Sequence, residues 1–136
     1  NIKSDGLYEK LKVVIDQKNI INYFVFDMSI PDTFSYINGQ TNVFLRMSEY
    51  ETISQNFSNI KGIWLDQFKS NWYNNNFINE LLLKWKNVCI VSPELHGREN
   101  YMECWSILKN VELSNEFNLL ICTDYPDKAR NYFEQN

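Results

Sequence analysis

A chain of 136 residues with 44% hydrophobic and 15% aromatic residues is long enough to bury a core and too apolar to stay disordered. Its net charge of -4, without any Lys/Arg cluster, argues against a nucleic-acid partner. No apolar run reaches the roughly 18 residues that a membrane-spanning helix needs, and Cys89, Cys104 and Cys122 lack a CxxC spacing, which suggests a reducing, cytoplasmic setting.

In chain order the first element is a helix, with an apolar stripe of Leu7, Leu11, Val14 and Ile15. Tyr23–Phe26 follows as a continuous apolar run, the pattern of a strand covered on both faces. Phe34 and Ile37 mark a short helix. Val43–Leu45 reads as the second strand, and Ser48 with Glu51 has the spacing of a capping box that starts another helix. Gly62–Leu65 is the third strand. The Asn-rich stretch 71–76 is a loop and helix start, because Asn caps helices well. Phe77, Ile78, Leu81, Leu82 and Trp85 form the next helical stripe. Val88–Val91 is the fourth strand, Tyr101 to Leu108 a helix, Leu119–Cys122 the fifth strand, and Ala129, Tyr132 and Phe133 a closing helix.

Alternation of this kind predicts five βα units and a parallel sheet with right-handed crossovers. The chain reads as one α/β domain over 1–136. It starts at Asn1 without a Met, which suggests a piece of a longer protein.

The residues after each run are more informative than the runs. They are Asp27 and Ser29, then Arg46 and Glu49, then Asp66, then Ser92, Glu94 and His96, then Thr123 and Asp124. In a parallel sheet all these ends lie on one edge, where ligands bind in open sheets and barrels alike. Asp, Ser and Thr after a strand are also ordinary helix caps. Arg46 is different, because an arginine ending an apolar strand wants a carboxylate or phosphate partner. His96 is the only histidine of the chain. Pro93 and Gly97 shape the loop that aims Glu94 and His96 over the edge, while Arg98 and Glu99 are expected to start the next helix and face solvent. Trp64, Trp85 and Trp105 are expected in the core.

The closing stretch LLICTDYPDKARNYF, a strand followed by Thr-Asp-x-Pro and a helix, resembles the end of the glycerophosphodiester phosphodiesterases. Those enzymes are (β/α)8 barrels related to the phosphatidylinositol-specific phospholipases C. FVFDMSIPDTFSYI looks like one of their middle strands, and VCIVSPELHGR falls where their penultimate strand lies. That strand departs from the family pattern, since Val91–Glu94 stands where Trp-Thr-Val-Asn is usual. The resemblance implies the C-terminal portion of a barrel. The family's His-Arg-Gly start and metal carboxylates are not in this sequence, so an isolated fragment is expected to be inactive. Asp124 is the one position carried over by motif.

Together these readings predict a phosphodiester, or another phosphorylated small molecule, at the carboxyl ends of the strands. Arg46, Ser92 and Asp124 would bind it. His96 would transfer protons, oriented by Glu94. Asp27, Glu49 and Asp66 would line the pocket, with a Mg²⁺ or Ca²⁺ ion shared with the missing half of the barrel. A five-stranded piece would leave an edge and an apolar face open, which favours a homodimer or pairing with the rest of the parent protein. The alternative is a doubly wound open sheet serving as a non-catalytic regulatory or partner-binding module.

Overall fold

Short apolar runs without a helical stripe form β1 (Phe44–Met47), β2 (Gly62–Leu65), β3 (Asn87–Val91) and β4 (Asn118–Cys122). The computed structural model describes residues 1–53, 57 and 59–134. All pairings within the sheet are parallel, and the order is β1-β2-β3-β4. The helical stripes form α1 (Tyr8–Gln17), α2 (Ile30–Asn38), α3 (Asn75–Trp85), α4 (Tyr101–Lys109) and α5 (Pro126–Glu134), with a 3₁₀ turn over Pro93–His96. Asn74 caps α3 by accepting the Phe77 N–H at 3.0 Å, as the Asn-rich stretch predicts.

The α/β alternation is as expected, with two corrections. The expected first strand is a single parallel bridge between Val25 and Val43. Val25 donates to the Asn42 carbonyl at 2.8 Å and accepts from Phe44 at 2.9 Å. Asp27 then takes a left-handed φ of 72° and turns the chain away, so the ladder stops after one rung. The second correction concerns Ser48 and Glu51. They start no helix; their backbones pair with each other across a tight turn. Residues 54–56 and 58, where the continuation of that helix was expected, lie outside the described residues.

The register separates two faces. Leu45, Ile63, Val88 and Leu119 share one rung, and Met47, Leu65, Ile90 and Ile121 another. This face packs on the helices. Ile63, Leu65, Val88 and Ile90 meet Ile78, Leu81 and Leu82 of α3 and Trp105 and Leu108 of α4. Val25, Val43 and Leu45 meet the fully buried Tyr36 of α2, with Tyr8 and Leu11 of α1 beside it. The opposite face carries Phe44, Trp64, Cys89 and Val91. Its cluster is completed by Phe24, Phe26 and Cys122 and contains no helix residue among those described. Phe24 stacks on Phe44 at 4.1 Å and Phe26 on Trp64 at 3.8 Å. Segment 23–26 thus covers this face with the side chains that alternate away from Val25.

Gly62 makes that aromatic layer possible. A Cβ there would lie 2.6 Å from Phe44 Cζ and 2.7 Å from the Asn87 carbonyl oxygen. The second contact is with backbone and cannot be relieved by a rotamer. Gly62→Ala is therefore expected to cost about 1–3 kcal/mol, read as a lower urea midpoint.

Candidate functional site

Arg46 lies within β1, one position before its end, on the face that carries Trp64. Its guanidinium is forked between two carboxylates. Nη1 donates to Asp27 Oδ1 at 2.6 Å, while Nε and Nη2 donate to Glu51 Oε1 and Oε2 at 2.9 and 3.1 Å. Asp27 also takes the Lys3 ammonium. A cavity of about 520 Å³ opens here, lined by Asp27, Ser29, Arg46, Glu51 and apolar neighbours such as Met28 and Ile53.

The end of β2 supplies Asp66, only 5% exposed. Its Oδ1 accepts the Gln67 N–H at 2.9 Å and lies 2.6 Å from His96 Nε2. His96 arrives from β3 on the 3₁₀ turn, which Pro93 enters and Gly97 ends at a φ of 70°. Only a residue at ease in the left-handed region stops the turn there without strain. The His96 ring packs on Phe68 with centroids 4.6 Å apart, and the Arg46 guanidinium stands 6.0 Å from the same Phe68 ring. Phe68 is thus a shared wall between the two.

Arg98 does not face solvent as expected. It donates to the Gln67 carbonyl at 2.9 Å and to Asn71 Oδ1 at 2.7 Å. This ties the turn that carries His96 to the loop that carries Asp66. Glu99 is exposed, and α4 starts two residues later, at Tyr101.

Glu94 does not orient His96. Its Oε2 accepts from Ser92 Oγ at 2.5 Å, and its Oε1 accepts the Thr123 hydroxyl and the Asp124 N–H, the latter at 3.2 Å. Ser92 Oγ in turn accepts the Trp105 indole N–H at 2.9 Å. Ser92, Glu94 and the Asp124 backbone therefore form a buried-to-surface chain that joins the ends of β3 and β4.

Glu49 is occupied as well. It accepts the backbone N–H groups of Phe68, Lys69 and Ser70 at 3.0, 2.7 and 3.3 Å. Burial pushes its carboxyl up, but hydrogen bonds from Lys69, Phe68, Ser70 and its own backbone outweigh this and hold it below the ordinary 4.5. A depressed carboxylate stabilises the fold above its unfolded value and loses that contribution as pH falls through its folded value. Glu49→Gln should therefore cost about 1 kcal/mol at pH 7. The difference from wild type should shrink below pH ~4 in urea titrations.

Asp27, Glu49 and Asp66 do not converge. Each belongs to a separate network, and among the described residues no group of three or more His, Cys, Asp or Glu is placed to hold a metal ion. Among the described residues these three carboxylates do not by themselves form a Mg²⁺ or Ca²⁺ set.

Sequence reasoning missed four contributors: Glu51, Gln67, Phe68 and Arg98. Gln67 is fully buried, and its amide donates to the Val91 carbonyl at 3.0 Å and to Cys104 Sγ at 3.2 Å. A polar residue directly after a strand-ending Asp was the available signal. Glu51 carried no such signal, because the capping-box spacing explained it otherwise. No protein-family description, no curated protein and no solved structure matches the chain.

Proposed function

We propose that this chain is an arc of a (β/α)8-type barrel that binds and cleaves a phosphodiester at the carboxyl ends of its strands. The contact between His96 and Asp66 carries this reading. A buried carboxylate on one imidazole nitrogen fixes the tautomer and supports the charged form during proton transfer. With Nε2 turned to Asp66, Nδ1 is the nitrogen left to exchange a proton with the attacking or leaving oxygen. Arg46 supplies positive charge on the same edge. The barrel reading is supported by the unreversed strand order and by a second sheet face whose cluster holds no helix residue among those described. Doubly wound sheets reverse their order and carry helices on both faces.

The test is hydrolysis of bis(4-nitrophenyl) phosphate by the full-length protein. Release of 4-nitrophenolate that depends on His96 supports the reading, and a rate unchanged in His96→Ala removes it. A second reading, a non-catalytic module, is favoured by one observation: Arg46 is already satisfied by Asp27 and Glu51. It requires that full-length protein bind a partner equally well with His96 replaced.

A further inference from the structure

We propose that Glu51 is a built-in stand-in for the ligand anion, occupying the fork of Arg46 until a monoanionic phosphodiester takes its place. The inference rests on the phosphodiester reading and adds which group of the chain holds the anion's place and must leave when it binds. Arg46 has two carboxylate partners with different standing. The Asp27 side chain is 14% exposed and is also held by Lys3, whereas the Glu51 side chain is 41% exposed. Glu51 makes the planar, two-point contact through Nε and Nη2, the geometry that a phosphate presents equally well. It sits on the wall of the cavity of about 520 Å³, so its position opens to a space large enough for a small ligand.

Charge arithmetic sets the specificity. Exchange of Glu51 for a diester replaces one negative charge with one. Asp27 stays and keeps the guanidinium aimed. A phosphomonoester dianion would bring a second negative charge next to Asp27 and near Asp66, whose charge Arg46 also feels. A pair exposed like Arg46–Glu51 contributes about 1 kcal/mol, and more for its two-point geometry, so displacing Glu51 takes a ligand that makes an equivalent two-point contact. Phe68 packs on the His96 ring and stands 6.0 Å from the Arg46 guanidinium, so the fork and His96 have one neighbour in common.

The experiment uses dimethyl phosphate and methyl phosphate at pH 8, where the first is a monoanion and the second mostly a dianion. Binding to full-length wild type, Glu51→Gln and Arg46→Lys is followed by ³¹P NMR, and the Arg46 Nε–H resonance reports directly on the fork. Wild type should bind dimethyl phosphate in preference to methyl phosphate, with a shift of that resonance. Glu51→Gln should bind dimethyl phosphate roughly fivefold tighter, the equivalent of a lost competing pair. Arg46→Lys should lose binding of both. Equal or weaker binding by Glu51→Gln, a preference for the dianion, or an unmoved Arg46 resonance overturns the stand-in role. The hydrolysis assay on wild type judges the phosphodiesterase reading separately, so the two can fail independently.

Discussion

Trp105→Ala is expected to destabilise the protein by about 3–5 kcal/mol, a large share of the 5–15 kcal/mol typical of a domain. Trp105 is 1% exposed and lies between the sheet and the C-terminal helix. Its ring meets Tyr101 at 4.9 Å, Tyr132 at 5.6 Å and Phe133 at 5.9 Å. Truncation leaves a cavity that α4 and α5 cannot close without losing these contacts. It also removes the indole N–H from Ser92 Oγ, the first link of the chain through Glu94 to Thr123. Trp105→Phe separates the two contributions. It keeps much of the aromatic volume and loses the hydrogen bond together with a smaller part of the packing, for about 1–3 kcal/mol. Urea unfolding of both variants measures this. A cost below 1 kcal/mol for Trp105→Ala would show that the α4–α5 layer is not part of the core.

On the proposed phosphodiesterase reading, His96→Ala should lower kcat/KM for a phosphodiester by about 10²–10⁴-fold, the usual contribution of a positioned general acid or base. Asp66→Asn should also lower kcat, because an amide can hold the ring with its carbonyl yet cannot stabilise an imidazolium. Asp66 touches His96 and on this reading acts through it as a positioning residue, so a readout beyond rate is needed. The chain has one histidine, so ¹⁵N NMR reads its ring nitrogens without overlap. The wild type should show the Nε2–H tautomer, and Asp66→Asn a mixture. A pure Nε2–H signal in both proteins, with equal kcat, would strip Asp66 of that role.

The parts of the fold that were legible are those governed by local chemistry. Gly62–Leu65 forms a strand over the residues expected, and Asn74 caps α3 where Asn density pointed. Apolar runs and caps are short-range features, visible without knowing what packs against them. Val25 shows the limit. The run Tyr23–Phe26 has strand composition, yet one left-handed residue, Asp27, ends its pairing after a single bridge. Ser48 and Glu51 show another. Their spacing suits a capping box, but Arg46 offers Glu51 a charged partner, and the segment turns instead.

By itself, then, the sequence determined the parallel α/β architecture and the polar edge along which Asp27, Arg46, Asp66 and His96 lie. Periodicity sets the architecture, and position after a strand sets the edge. Only the tertiary structure decided who meets whom on that edge. His96 pairs with Asp66, 30 positions away, and not with Glu94, two positions away, which instead reaches Thr123, 29 positions on. The physical reason is the parallel register. It sets the ends of β2, β3 and β4 side by side, so that neighbours across the sheet lie closer than neighbours in a turn whose side chains point apart.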